Sequence, residues 1–120
     1  MGKRLTDEER EWRTYSEKAF QTKVIDLARK NGWLVAHFHD SRRMVVRPNG
    51  QRFMVGDKDA RGFPDLVVAR GQQIFFWELK KELGKTTPHQ DEWLAKLTEA
   101  GMDATVMKPH DWELIQRLLA

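Results

Sequence analysis

The stretch from Gly62 to Lys80, GFPDLVVARGQQIFFWELK, restricts what this chain can fold into more than any other. Two apolar runs, Leu66–Ala69 and Ile74–Leu79, flank the polar break Arg70-Gly71-Gln72-Gln73, which is the pattern of a β-hairpin. A symmetric turn centred on Gly71-Gln72 pairs Arg70 with Gln73 and Ala69 with Ile74. Carried to its end, the same register sets Asp65 opposite Glu78. Directly opposed residues share a face, with Cβ atoms about 4.5–5.5 Å apart. Glu78 and Lys80, two apart, share that face as well. The sequence therefore predicts two carboxylates and an ammonium on one patch of sheet.

Two carboxylates this close repel one another unless a cation neutralises them. A hard divalent cation such as magnesium takes oxygen ligands of this kind and keeps positions for water and phosphate. Lys80 would then bind a phosphate or deprotonate an attacking water. A plainer alternative makes Glu78 and Lys80 a surface cross-strand pair of small energetic value, with Asp65 ending a turn after Pro64. The run Ile74-Phe75-Phe76-Trp77 favours a buried central strand, where unpaired charge is costly.

These residues carry a resemblance. Pro64-Asp65, a short spacer and Glu78-Leu79-Lys80 resemble the signature of the PD-(D/E)XK nuclease superfamily. Gly62-Phe63-Pro64-Asp65-Leu66, Trp77-Glu78-Leu79-Lys80 and a helix opening Thr87-Pro88-His89-Gln90 are similar to its VRR-NUC branch, and the likeness runs from about residue 16 to residue 110. It implies an α/β, restriction-endonuclease-like fold: an αβββαβ core with a mixed β-sheet flanked by helices. It further implies an endodeoxyribonuclease that depends on Mg2+ or Mn2+. Asp65 and Glu78 would hold the metal, with the Leu79 carbonyl as a further ligand. Glu17 would reach the metal through water or support a second ion. Lys80 would orient or deprotonate the attacking water, and Gln90 would sit beside Lys80 against substrate or water. The resemblance implies 5′-phosphate and 3′-hydroxyl products and structured or branched DNA of the Holliday-junction or flap kind. It also implies a homodimer cutting two strands, as a stand-alone domain suited to a phage or bacterial setting. The competing reading is a nucleic-acid-binding module on the same fold, either non-catalytic or dependent on a partner protein to cleave.

Composition is compatible with this. A chain of 120 residues suits one domain, and 40% hydrophobic residues with 5 Trp and 6 Phe can build a core. A net charge of +3 and a pI near 9.3 permit nucleic acid as a partner without demanding it. The absence of cysteine excludes disulfides, thiolate metal sites and cysteine nucleophiles. No apolar stretch approaches the roughly 18–20 residues of a membrane span, and Met1–Asp7 lacks an apolar signal core. A soluble, cytoplasmic protein is the expectation.

Residues 1–15 read as a charged arm, mobile or marginally helical, docked through Trp12; residues 16–120 read as a single domain. A helix is predicted from about Ser16 to Asn31-Gly32, with Phe20, Val24, Leu27 and Ala28 at helical spacing. Glu17 falls on that inward stripe, either facing the site or closing a capping box with Thr14. Trp33–Phe38 reads as a strand, with His37 or His39 aimed at the site or simply structural. Residues 40–63 carry Arg42, Arg43, Arg47, Arg52 and Arg61. Within them Pro48-Asn49-Gly50 predicts a projecting hairpin with a tight Asn-Gly turn. Its arginines would contact DNA phosphates, setting position rather than sequence preference, or merely face solvent.

Further on, Thr87, Pro88 and Gln90 are the start signals of a helix with a capping box. Trp93, Leu94, Leu97 and Ala100 are its expected buried face, and Lys85 and His89 would reinforce phosphate binding at its N-terminus. Asp103–Met107 reads as a strand. Pro109 opens a last helix that covers the sheet with Trp112, Ile115, Leu118 and Leu119.

Overall fold

The central hairpin closes in the register its symmetry dictates: Arg70 pairs with Gln73, Ala69 with Ile74 and Leu66 with Trp77. The structure, a computed structural model, describes residues 4–38, 43–55 and 59–120, less the side chains of 43–45 and 53–55. His39 and Arg42 lie outside the described residues, as does the side chain of Arg43. In chain order the elements are α1 (Asp7–Thr14), α2 (Glu17–Lys30), β1 (Leu34–His37), β2 (Arg43–Val46), β3 (Arg52–Val55), β4 (Leu66–Arg70), β5 (Gln73–Leu79), α3 (Pro88–Glu99) and β6 (Asp103–Met107). A 3-10 turn at Pro109–Asp111 then leads into α4 (Trp112–Leu119). One sheet has the order β1-β4-β5-β6, and β2 and β3 form a separate two-stranded ribbon. The β1–β4 and β4–β5 pairs are antiparallel, whereas β5 and β6 are parallel, which is why a helical crossover, α3, must join them. This mixed sheet with flanking helices is the restriction-endonuclease-like α/β fold.

Strand alternation divides the sheet into two unequal faces. Leu66, Val68, Phe75, Trp77, Leu79 and Met107 point one way, against Phe20, Val24, Ile25 and Ala28 of α2 and Ile115 and Leu119 of α4. Each such side chain stabilises the fold by roughly 1.5–3 kcal/mol when fully buried, so this face holds the domain together. Arg70 closes its rim, stacking 4.5 Å from the Trp33 ring and donating to the carbonyls of Asn31 and Ala120.

The opposite face, with Val67, Phe76 and Ala104, takes α3. Here the expectation of a buried helix stripe is corrected. Trp93, Leu94 and Leu97 are only half-buried and Ala100 is exposed, because α3 lies on this face without a second helix packed over it. Leu34, Phe38 and Ile74 on the same face remain exposed.

Residues 7–14 form a capped helix. Thr6 and Glu9 make a reciprocal capping box, with acids in the first turn and Arg13 in the last, so local chemistry suffices to order it. Trp12 docks edge-on to His110, with ring centroids 6.1 Å apart. Ser16 caps α2 through the Ala19 N–H, while the Thr14 hydroxyl donates to the Glu11 carbonyl. The alternative Thr14–Glu17 capping box therefore does not form.

The projecting ribbon turns differently from the expected two-residue Asn-Gly loop. The Arg47 N–H donates to the Gln51 carbonyl and the Gly50 N–H to the Arg47 carbonyl, both at 2.8 Å, leaving a Pro48-Asn49-Gly50 loop. A two-residue Asn-Gly turn needs positive φ at both residues, and here Gly50 alone has it, at φ 85. Pro48 favours an ordinary first corner, and Asn49 Oδ1 accepts the Gln51 N–H at 2.9 Å.

Candidate active site

The site forms where the β4–β5 ladder ends. Leu66–Trp77 is the last ladder pair, and the next two positions, Asp65 and Glu78, interlock through the backbone instead. The Asp65 N–H donates to Glu78 Oε2 at 3.3 Å, and the Leu79 N–H donates to Asp65 Oδ2 at 3.1 Å. Buried Pro64 precedes Asp65, and the Phe38 N–H holds the Asp65 carbonyl at 2.7 Å. Chain direction on both sides of the acid is thus fixed.

Lys80 follows on the same face. Its Nζ lies 3.8 Å from Glu78 Oε1 and 3.9 Å from Glu17 Oε1, too far for hydrogen bonds but close enough for charges to attract. The Glu78 side chain is 2% exposed, Lys80 14% and Glu17 45%. Glu17 joins the group through Lys80, from the first turn of α2, and is not sunk into the core stripe.

Gln90 makes the expected capping box and, with the other end of its amide, a contact to Glu78. Its Oε1 accepts the Thr87 N–H at 2.9 Å, completing the capping box of α3, and its Nε2 donates to Glu78 Oε1 at 2.8 Å. The cap fixes which end of the amide faces the carboxylate, since the donor end is the one left over. One side chain therefore fastens the start of α3 to the buried acid.

A second fastening was not read from the sequence. Gly62 has φ +81, and a Cβ there would stand 2.4 Å from the His89 carbonyl carbon. Only glycine allows both that backbone conformation and that approach. The Trp93 indole donates to the Arg61 carbonyl at 3.0 Å, and Phe63 packs its ring edge-on to Phe38, Phe76 and Trp93. The run Gly62-Phe63-Pro64 ahead of an acid is the only mark this contact leaves in the sequence.

Burial pushes the Glu78 carboxyl up to about 8 from an ordinary 4.5; the Asp65 carboxylate adds to the shift and Lys80 opposes it. Near neutral pH Glu78 thus tends to keep its proton, because burial and the Asp65 carboxylate outweigh the single lysine beside it. That deficit of positive charge suits a hard divalent cation, which prefers oxygen donors and keeps carboxylates ionised. Asp65 and Glu78 are the side chains that would hold it. Among the described residues no cluster of three or more acidic or histidine groups surrounds the position, which leaves the backbone, water and a phosphate to complete a coordination shell.

The remaining residues singled out in the sequence are dispersed. His37 pairs with Leu66, which sets it on the α2 face of the sheet, away from the face of Glu78. Arg47 and Arg52 are exposed on the ribbon. Arg61 and His89 line a hollow of about 410 Å³ with Asp59, Glu92, Trp93 and Lys96, beside the start of α3. Lys85 is exposed on the loop between β5 and α3. No helix is long and apolar enough to cross a membrane among the described residues.

No curated protein and no solved structure matches the chain. The family described as VRR-NUC domain matches residues 16–111, which takes in Glu17, the whole four-stranded sheet and Gln90. The chain therefore belongs to the VRR-NUC family of the PD-(D/E)XK nuclease superfamily and carries a nuclease-type domain.

Proposed function

We propose that the protein is a divalent-metal-dependent DNA endonuclease that hydrolyses phosphodiester bonds in structured or branched DNA. The observation that carries this reading is the buried Glu78 carboxyl, set beside Asp65 and between Gln90 and Lys80 in a site short of positive charge. Mg2+ or Mn2+, held by Asp65, Glu78 and the Leu79 carbonyl with Glu17 reaching it through water, would supply a more acidic water and neutralise charge gathering on the phosphate. Gln90 keeps Glu78 in one orientation before substrate arrives, so less ordering is left for the reaction itself. Lys80 is placed to orient the attacking water, to take its proton when the amine is neutral, and to attract the scissile phosphate. The water oxygen bonds to phosphorus, the P–O3′ bond breaks, and 5′-phosphate and 3′-hydroxyl ends result. Arg47 and Arg52, with Arg42 and Arg43, would grip backbone phosphates from the ribbon; Arg61, Lys85 and His89 would do so around the start of α3. The exposed Leu34, Phe38 and Ile74 support a homodimer that cuts two strands.

The test is cleavage of labelled duplex, flap, nicked and four-way-junction DNA with Mg2+ or Mn2+, beside an EDTA control and Lys80→Ala. Metal-dependent cutting that falls by roughly 10²–10⁴ in the variant is expected. Equal cutting by both proteins would remove Lys80 from the chemistry. DNA binding without cutting would leave a non-catalytic or partner-dependent binding module.

A further inference from the structure

Beside the acids lies a basic notch that the active-site chemistry does not use. It is a recess of about 450 Å³ lined by Gly84, Lys85, Thr86, Val106 and Lys108. Val106 is the β6 partner of Glu78, so the two side chains share a face one strand apart, a spacing of about 4.8 Å. The same register, continued by the Lys80 N–H donating to the Met107 carbonyl at 3.1 Å, brings Lys108 alongside Lys80. Gly84 closes the other side. Its N–H donates to the Lys81 carbonyl at 2.9 Å, and a Cβ on it would lie 3.5 Å from Lys80 Cβ. The notch therefore abuts the stem of Lys80.

Its chemistry is one-sided. Among the described residues two lysines line it and no acid does. The Thr86 hydroxyl is already committed to Asp91. Lys108 is half-buried, and its root is pinned by its N–H donating to Asp111 Oδ2 at 2.9 Å. Two ammonium groups lining one recess make it a place where an anion is favoured. Val106 gives the floor an apolar surface suited to a sugar.

We propose that this notch holds the backbone phosphate next to the scissile one, with Lys108 as a positioning residue and Lys85 as its counterpart across the recess. The proposal rests on the endonuclease reading for its ligand. It adds a place on β6 where the strand is gripped as it leaves Asp65 and Glu78.

The experiment measures DNA affinity against salt, with Ca2+ in place of Mg2+, for wild type, Lys108→Gln and Lys108→Arg. Thermal melts serve to confirm folding. Lys108→Gln should bind roughly fivefold more weakly, and its log K against log salt slope should be shallower by about 0.9, the value of one duplex phosphate contact. Lys108→Arg should restore both. A single methylphosphonate at either phosphate flanking the scissile one then locates the contact. At one of the two positions it should weaken wild type but leave folded Lys108→Gln unchanged. Unaltered affinity and slope in Lys108→Gln, or equal sensitivity of both proteins to either methylphosphonate, would overturn the notch. Failure of the endonuclease reading shows separately, as wild type that binds but does not cut with Mg2+ or Mn2+.

Discussion

Glu78→Gln isolates the electrostatics of the site. In the unfolded chain the Glu78 carboxyl ionises near 4.5, whereas in the folded protein burial and Asp65 hold its proton up to about 8. Between those values the folded state carries a proton that the unfolded state has released. Stability therefore falls as pH rises through that window, by up to 1.36 kcal/mol per pH unit. Across the whole window the ceiling is roughly 5 kcal/mol. For a chain of this size that corresponds to a fall in Tm on the order of 15–20 °C from pH 5 to pH 9.

Glutamine cannot ionise, so melts of Glu78→Gln in EDTA should lack that slope. Near pH 5 the variant should match wild type or fall slightly below it, since its amide meets donors from both Gln90 and Asp65. At pH 9 it should be the more stable protein. Manganese should reverse the wild-type trend, because it binds the ionised pair: little stabilisation at pH 5, growing towards pH 8, with close to one proton released per metal near pH 7 by calorimetry in buffers of different ionisation enthalpy. Parallel melting curves for the two proteins from pH 5 to pH 9 would refute the reasoning, since Glu78 would then be ionising as an exposed carboxyl does.

Two further substitutions test how the site is fastened. Gln90→Ala leaves the Thr87 cap in place but removes the reciprocal bond from the Thr87 N–H, worth about 0.5–1.5 kcal/mol, and leaves a buried carboxyl oxygen short of a donor at roughly 1–3 kcal/mol; urea denaturation should show a loss of about 1.5–4 kcal/mol, and a loss under about 1 would mean the amide fastens nothing. Gly62→Ala forces a left-handed conformation costing roughly 1–2 kcal/mol and sets a Cβ against the His89 backbone, so Tm and cleavage should fall together; an unchanged Tm would show that the loop and α3 are not in contact.

How much of this was legible in the sequence depends on the range of the interaction. The Asp65–Glu78 juxtaposition followed from counting outward from Gly71-Gln72, because the hairpin has an uninterrupted register and its apolar runs leave one way to pair. The capping box at Thr87 and Gln90 was legible for the same reason, being local. Helix α1 carries an equally local signal, Thr6 with Glu9, hidden behind its overall charge. What could not be read joins distant segments. The pairing of Glu17 with Lys80 depends on where α2 crosses the sheet, and the approach of Gly62 to His89 depends on the tilt of α3. Spacing set Glu17 on an inward stripe, but the first turn of α2 ends at the rim of the site, where a carboxylate keeps some water and gains a lysine.

The site's two halves have complementary deficits. On the β4–β5 side burial and the neighbouring Asp65 hold the proton on Glu78 against the opposing pull of Lys80 at 3.8 Å and the donors from Gln90 and the Asp65 N–H. On the β6 side Lys85 and Lys108 line a recess without an acid of their own. A cation on the first half would displace the proton from Glu78, and a phosphate on the second would neutralise the lysines that line the recess. Both gaps lie on one face of the sheet, a strand or two apart, so a phosphodiester strand with its counter-cation could satisfy them together. A lone surface ion pair, the alternative left open by the sequence, accounts for neither: it would need Glu78 exposed, and it is among the most buried side chains in the protein.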